Sequence, residues 1–462
     1  MPLALSARAT ASVFALEGAC AAWLGLRQQQ RWPQFAGAGL QLIAGLLYAW
    51  DAPYFSTQPV LHAGCMLALL IALAGLASAA VYQRAVAHRR WAALPYYLWG
   101  LGWWLWMGGG EIDAFAGRAL EPRAWLLFLV GTGGLAALAH ARRPARALAW
   151  TVVAALASGI VVAPNFFGQV LEGWNLATWL AYAAVGAGGV MALRGCEGAP
   201  LPLAHMAWWA SLALALTLGL HRHAIDLGVG WRWAAAGLPW LLLAAATWLR
   251  PDWVRLPGGA RFAQWRQAQG DVLLWLCAAI ALFALGSDGD AGPMPWLPLL
   301  NPIELLQVAV LALVGWRMLV FGGRTRAPAR VTLLALAAFA LVTVGVLRCV
   351  HHWGHVPWGH AMFDRELVQT ALTVTWSVLG VAGWILGSRR GLRGVWLGGA
   401  VLMAVVLAKL VLVDRDYLGN LLGIVSFLAY GLLCTAVGYF APVPPGEGLS
   451  GPGREGAVAP SP

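Results

Sequence analysis

The sequence predicts an all-α fold, a polytopic bundle of about fifteen transmembrane helices arranged as consecutive hairpins. Three observations lead to this prediction. The chain is 60% hydrophobic and only 11% charged, whereas a soluble domain carries about 25% charged residues. Apolar runs long enough to cross a bilayer recur along almost the whole chain. The connectors between them alternate between arginine-rich and acidic, as expected when successive loops face opposite sides of a membrane.

The predicted spans follow one another with short connectors. They cover roughly residues 9–26, 34–50, 60–82, 91–108, 122–140, 145–162, 174–193, 202–220, 232–249, 270–286, 299–320, 330–349, 367–387, 394–413 and 418–440. We therefore expect a single transmembrane domain over residues 1–440. Residues 441–462 are rich in proline, glycine and serine, and this composition predicts a disordered cytoplasmic tail. The longest connector, 250–269, combines aromatic side chains with arginines and is expected to lie on the inner membrane surface.

Arginine is distributed very unevenly between the two sets of connectors. Twenty-one of the 29 arginines fall in every second connector and the tail, and eight fall on the other side together with twelve acidic residues. The positive-inside rule then places the N-terminus in the periplasm and the C-terminus in the cytoplasm. Because the arginines are scattered through short loops, no basic domain is available for nucleic acid. The partner implied by the composition is the lipid bilayer.

The motif inventory favours no known enzyme class. The six cysteines lie far apart without a C-x-x-C pair, so no thiol redox or zinc-ribbon site is expected. Walker A, G-x-S-x-G and H-E-x-x-H patterns do not occur in the sequence, and no cofactor is therefore predicted. Glu111 and Asp113 follow three glycines and are expected in a solvated outer loop.

Two arginine-terminated segments at opposite ends of the chain look alike. Residues 23–27 read Trp-Leu-Gly-Leu-Arg, and residues 384–389 read Trp-Ile-Leu-Gly-Ser-Arg. Each would end an inward-running helix before an arginine turn and a returning helix. This loose repeat indicates growth by duplication of helical hairpins.

The densest group of polar side chains lies between the twelfth and thirteenth predicted spans. His351, His352, His355 and His360 occur within ten residues, among prolines, glycines and tryptophans. Three interpretations are open: an aromatic interfacial loop, a metal site with the metal unknown, and a source of acid–base groups for catalysis or proton relay. All three place the histidines on the outer face.

Charged residues at membrane depth form the second group of candidates. Glu17 interrupts the first span, and Glu304, Lys409 and Asp414 lie in or beside later spans. An ionisable side chain at such depth is normally buried and paired. We therefore expect these four as buried charges, with a hypothetical ion pair between Lys409 and Glu17 or Glu304. For Glu304 the preceding Asn301 offers a second interpretation, the start of a capped helix.

Several segments together resemble one known family. They are residues 406–414, 426–428 and 438–440 near the end, residues 15–27 in the first hairpin, residues 300–304 and the His351–His352 stretch. The pattern is similar to a family of bacterial multi-pass proteins known as domain of unknown function 2339. The resemblance implies a bacterial inner-membrane protein without an established activity. Longer members have a further N-terminal part, so we expect a short member or a C-terminal portion.

Three function hypotheses follow. In the first, a periplasm-facing polar site handles a lipid-linked or cell-envelope substrate, with the four histidines as catalytic groups. In the second, Glu17, Glu304 and Lys409 couple protons to secondary transport. In the third, the protein is a non-catalytic scaffold with envelope protein partners.

Overall fold

A computed structural model describes most of the chain. The described residues are 7–50, 59–60, 62–85, 87–168, 175–195, 200–321 and 327–412, with isolated residues between 424 and 439. Within these ranges all regular structure is helical, and the predicted all-α fold class is confirmed. The predicted tail, 441–462, lies outside the described residues.

Fifteen α-helices occur in the described ranges, and α10 is a single short turn. They are α1 (Ala7–Arg27), α2 (Trp32–Trp50), α3 (Ala63–Gln83), α4 (Ala93–Phe115), α5 (Gly117–Arg142), α6 (Arg146–Gly168), α7 (Leu176–Gly195), α8 (Leu201–His223), α9 (Val229–Leu249), α10 (Pro251–Val254), α11 (Arg266–Phe283), α12 (Pro302–Val320), α13 (Ala327–Gly354), α14 (Glu366–Arg390) and α15 (Arg393–Leu412).

The long helices match the predicted spans in order. Each of the first fourteen predicted spans coincides with one helix of at least 18 residues. Ten described helices are long and apolar enough to cross a membrane, namely α3, α5–α8 and α11–α15. The fifteenth predicted span, 418–440, falls largely outside the described residues. The count of about fifteen spans therefore stays a prediction.

The helices divide between two compact units. Unit 1 comprises Met1–Arg222 with Leu249–Gln269, and unit 2 comprises His223–Trp248 with Gly270–Pro462. In unit 1, α1 packs against α2 and α3, α3 against α4, and α5 against α6 and α7. In unit 2, α12 packs against α13, α13 against α14, and α14 against α15. The single transmembrane domain expected over 1–440 stays a prediction.

The first and last described hairpins cross at glycines in the same register. A Cβ on Gly37 of α2 would lie 2.5 Å from the carbonyl oxygen of Gly18 in α1, and a Cβ on Gly399 would lie 2.6 Å from that of Gly380. The same offset of 362 residues relates Gly25, packed against α2, to Gly387, packed against α15. The glycines thus share the offset of 362 residues, whereas the offset between Trp23 and Trp384 differs from it by one residue. Small residues let the helix backbones approach closely.

The connector between α9 and α11 packs against unit 1. Phe262 and Trp265 are buried, with their rings 5.1 and 5.7 Å from the imidazole of His205 in α8. His205 also bonds to Gln269 Oε1 and to the carbonyl oxygen of Val254. The two aromatic side chains are therefore tied to the protein interior, whereas Trp253 is exposed. The expected position of the connector on the inner membrane surface stays a prediction.

Candidate functional site: the histidine end of unit 2

A buried ion pair joins α12 to α13. Arg348 Nη1 lies 3.5 Å from Glu304 Oε1, and the side chains are 1% and 7% exposed. The guanidinium also donates to three other oxygens: Nε to Ser287 O, Nη1 to Gln307 Oε1 and Nη2 to Ala284 O. Because a buried charge is tolerated only when it is paired and hydrogen-bonded, this set of acceptors holds Arg348 in place. The side chain in turn anchors the segment after α11 to the two helices.

The carboxylate of Glu304 belongs to the start of α12. Asn301 Oδ1 accepts from the backbone N–H of Glu304 at 3.0 Å, and Pro302 occupies the first turn. Glu304 Oε2 accepts from the backbone N–H of Leu299 at 2.6 Å. The predicted helix-start signature is therefore confirmed. The Glu304 carboxylate thus accepts a hydrogen bond from the segment before α12 and also neutralises the charge of Arg348.

Three buried polar atoms near this pair lack a hydrogen-bond partner among the described residues. They are Glu304 Oε1, which faces Arg348, Asn301 Nδ2 and Trp296 Nε1. The three side chains are between 2% and 8% exposed. Buried polar groups are nearly always hydrogen-bonded. Glu304 Oε1 is compensated by its ion pair with Arg348, so two buried donors without a partner in the described part of the chain, Asn301 Nδ2 and Trp296 Nε1, remain at this end of the unit.

Two of the four predicted histidines lie directly beside the ion pair. His352 is one helical turn after Arg348, stacks on Trp296 with ring centroids 4.8 Å apart, and contacts Asp288 O through Nε2 at 3.0 Å. His351 contacts Val356 O through Nδ1 at 2.6 Å. A carbonyl oxygen only accepts, so each of these ring nitrogens carries the proton. In the neutral rings His351 Nε2 and His352 Nδ1 are then the basic nitrogens.

The other two histidines do not join them. His355 and His360 are exposed, in the loop before α14 and at the start of its short 3₁₀ turn. In the part of the chain that the structure describes, no three His, Cys, Asp or Glu side chains converge as metal ligands. Of the four histidines, two are therefore fixed by hydrogen bonds to backbone carbonyls, and the other two are exposed. We call this region, with residues 284–304, the histidine end.

The four predicted buried charges are placed differently from one another. Glu304 is buried as expected. Glu17 is exposed, because the face of α1 that carries Ala15 and Gly18 packs in unit 1 while Glu17 points away from it, so its predicted burial is wrong. Lys409 is half-buried in unit 2 and donates to Gln369 O and to Thr373 Oγ1 at 2.7 Å. Asp414 lies outside the described residues.

The hypothetical ion pair of Lys409 with Glu17 or Glu304 can be compared with these positions. Glu304 is paired with Arg348, whereas the bonds of Lys409 described above are to α14. Glu17 belongs to unit 1 and the other two belong to unit 2. A shared ion pair therefore has no geometric support in the described residues.

The sequence reading did not single out Arg348 or a second polar pair. Arg348 is one of the eight arginines on the side with fewer of them, and its position inside the predicted span 330–349 is the signal that could have marked it. Glu111 is not in a solvated loop but in α4, where Oε1 meets His62 Nε2 at 2.6 Å. His62 Nδ1 accepts from the Cys65 N–H and so caps α3. This pair fastens α3 to α4.

Comparison with known proteins gives one clear result. A family model described as a predicted membrane protein, DUF2339, matches residues 1–444. No curated protein and no solved structure matches the chain. The match covers both units and the histidine end, and it is in line with the ten described helices that could cross a membrane. The chain therefore belongs to the DUF2339 family of membrane proteins.

Proposed function

We propose that this bacterial inner-membrane protein handles the polar headgroup of a lipid-linked or cell-envelope molecule at its histidine end, which faces the periplasm. The observation that carries the proposal is the ordered His351–His352 pair beside the buried Arg348–Glu304 pair. Each imidazole is oriented by a hydrogen bond to a backbone carbonyl and keeps one basic nitrogen. Orientation by a fixed partner is what a general base needs, and histidine titrates near neutral pH.

The surroundings of the His351–His352 pair suit a ligand in which a polar group lies next to an apolar group. Asn301 Nδ2 and Trp296 Nε1 are buried donors without a partner among the described residues. Trp353 and Phe363 are 59% and 42% exposed close to the histidines in the chain. Aromatic rings of this kind suit the membrane–water boundary, where the headgroup of a lipid-linked molecule lies. His355 and His360 are exposed and are not part of the proposed base.

Lipid analysis of whole cells tests the proposal. A strain lacking its own copy would be complemented with the wild-type chain, with His351→Asn or with the control His360→Asn. Asparagine keeps a polar side chain but does not exchange protons near neutral pH. We expect a lipid-linked species to accumulate in the uncomplemented strain and with His351→Asn, and not with His360→Asn. Identical lipid profiles in the uncomplemented and wild-type strains would overturn the proposal and favour the scaffold.

A further inference from the structure

Unit 1 contains a groove that is separate from the histidine end. A cavity of about 620 Å³ lies between α2 and α4, with Tyr82 of α3 among its walls. This volume falls within the ~300–1,000 Å³ typical of small-molecule sites. The residues that line it along α2 are 34, 35, 38, 41 and 42, and residue 31 lies just before that helix. Since this spacing follows one helical face, the groove runs along the helix.

The length of the groove corresponds to one leaflet of a bilayer. Residues 31 to 42 span about 16 Å at 1.5 Å per residue, roughly half of a hydrocarbon core ~30 Å thick. Phe35 and Trp91 line the groove and are 66% and 73% exposed. The groove is therefore open sideways, and in a membrane its aromatic walls meet lipid chains. Arg31 lies at its mouth, in the turn between α1 and α2.

A buried amide marks the deep end of the groove. Gln41 is 2% exposed and donates from Nε2 to Ser78 Oγ at 2.8 Å. Ser78 uses its own hydroxyl proton to donate to Ala74 O at 2.9 Å, so Ser78 Oγ can only accept from Gln41. The amide nitrogen of Gln41, and not its oxygen, therefore faces Ser78. Gln41 Oε1 then remains a buried acceptor without a partner among the described residues. Trp99 Nε1, on the opposite wall, is a buried donor in the same situation.

The fold does not require that amide. The equivalent position in the last described hairpin, at the same offset of 362 residues, is Met403. A Cβ on Gly18 would lie 2.8 Å from Gln41 Cγ, and a Cβ on Gly380 would lie 3.0 Å from Met403 Cγ. The two side chains thus fill the same place in their hairpins, one polar and one apolar. By contrast Arg31 has an arginine equivalent, Arg393.

From these observations we propose that the groove binds an anionic phospholipid with a hydroxyl group on one acyl chain. Its phosphate meets Arg31, because a guanidinium matches phosphate geometry. The chain lies along Phe35 and Trp91 toward Gln41, ten residues or about 15 Å farther along the helix. The chain hydroxyl donates to Gln41 Oε1 or accepts from Trp99 Nε1, which removes an unsatisfied buried atom. The leaflet is the one on the side of the arginine turns, where a basic side chain attracts anionic lipid.

Native mass spectrometry of the purified full chain tests this proposal with three defined lipids. The first is a phosphatidic acid with a hydroxyl group midway along one acyl chain, the second is the same phosphatidic acid without that hydroxyl, and the third is a phosphatidylcholine with the unhydroxylated chains. We expect wild-type binding to decrease in that order. Arg31→Gln should reduce the preference for the unhydroxylated phosphatidic acid over the phosphatidylcholine about fivefold, and Gln41→Met should abolish the preference for the hydroxylated over the unhydroxylated phosphatidic acid. The matched control Arg393→Gln should behave as wild type.

Two results would overturn the proposal: equal binding of the three lipids to wild type, or equal loss of preference in Arg31→Gln and Arg393→Gln. Arg31 is exposed, so its variant reports on the groove even where Gln41→Met fails to fold. The proposal is independent of the histidine end. A strain carrying Arg31→Gln should therefore keep the lipid-linked profile of wild type even though the purified variant loses its lipid preference.

Discussion

Gln41 and Met403 occupy equivalent places in two helical hairpins that lie 362 residues apart in the chain. Each packs with its Cγ against the glycine of the preceding helix, Gly18 or Gly380. The shared register of glycines is the pattern that duplication of one hairpin would produce, and that duplication stays a prediction. Their difference indicates where the chain has specialised, since only the first hairpin combines the glycine crossing with a buried amide that lines a groove.

The glycine crossing of the first hairpin should tolerate no side chain. Gly37→Ala would place a methyl group 2.5 Å from the Gly18 carbonyl oxygen, and such overpacking destabilises by about 1–3 kcal/mol. The matched control is Gly39→Ala in the same helix, where a Cβ would meet nothing within 4 Å. Unfolding in mixed detergent micelles measures both. Equal free energies of unfolding for the two variants would mean that α1 and α2 do not cross at Gly37.

The Gln41–Ser78 hydrogen bond should show itself in a double-mutant cycle. Ser78→Ala leaves Gln41 Nε2 unpaired, and we expect a loss of about 1 kcal/mol, the usual scale for such bonds between membrane helices. Gln41→Met alone should change the free energy of unfolding little, as Met403 fills the equivalent place. In the Gln41→Met background, Ser78→Ala should then have almost no effect. Strictly additive losses in the double variant would contradict the assigned bond.

Removal of Arg348 should be among the most damaging changes in unit 2. Arg348→Met leaves Glu304 as an unpaired buried carboxylate and frees the acceptors of Ser287 and Ala284. Breaking a buried pair on one side costs about 3–5 kcal/mol. Glu304→Leu in the same chain should restore part of that loss, because the uncompensated charge is gone.

The control for that prediction is Arg365→Met, at an exposed arginine near the start of α14. Its free energy of unfolding should stay within about 0.5 kcal/mol of wild type. A double variant Arg348→Met/Glu304→Leu that is less stable than Arg348→Met alone would show that Glu304 acts mainly through its place at the start of α12.

Zinc should leave the histidine end unaffected. His351 and His352 each spend one nitrogen on a backbone carbonyl, and His355 and His360 are exposed. A ligand that binds the folded state raises its stability by mass action. We therefore expect no change in Tm when micromolar zinc is added to the purified protein. A rise of several degrees that His351→Asn removes would reinstate the metal interpretation.

Hydropathy was sufficient to predict the helices but not the contacts between them. The first fourteen predicted spans coincide with helices because bilayer-length apolar runs form helices whatever their neighbours are. The start of α12 was also predictable, since Asn301 and Glu304 interact locally. Sequence spacing does not reveal pairings between distant helices. Arg348 with Glu304, 44 residues apart, and His62 with Glu111, 49 apart, emerged only from the packing.

The burial of Glu17 was mispredicted for the same reason. Depth in a span is readable from the sequence, but the direction of the side chain depends on which helix face packs. In α1 the packed face is formed by Ala11, Ala15, Gly18 and Ala22. A one-residue displacement from Gly18 is enough to turn Glu17 outward, because successive residues of a helix are about 100° apart.

The proposed role at a cell-envelope substrate requires the histidine end to lie outside the membrane. Labelling by a membrane-impermeant maleimide in intact cells tests this in a chain whose six native cysteines are replaced by alanine. A single cysteine would be introduced as His360→Cys, or as Arg390→Cys at the arginine-rich end of α14; both positions are exposed. We expect His360→Cys to be labelled without permeabilisation and Arg390→Cys only after it. Labelling of Arg390→Cys in intact cells, with His360→Cys protected, would contradict the predicted topology and with it the proposed function.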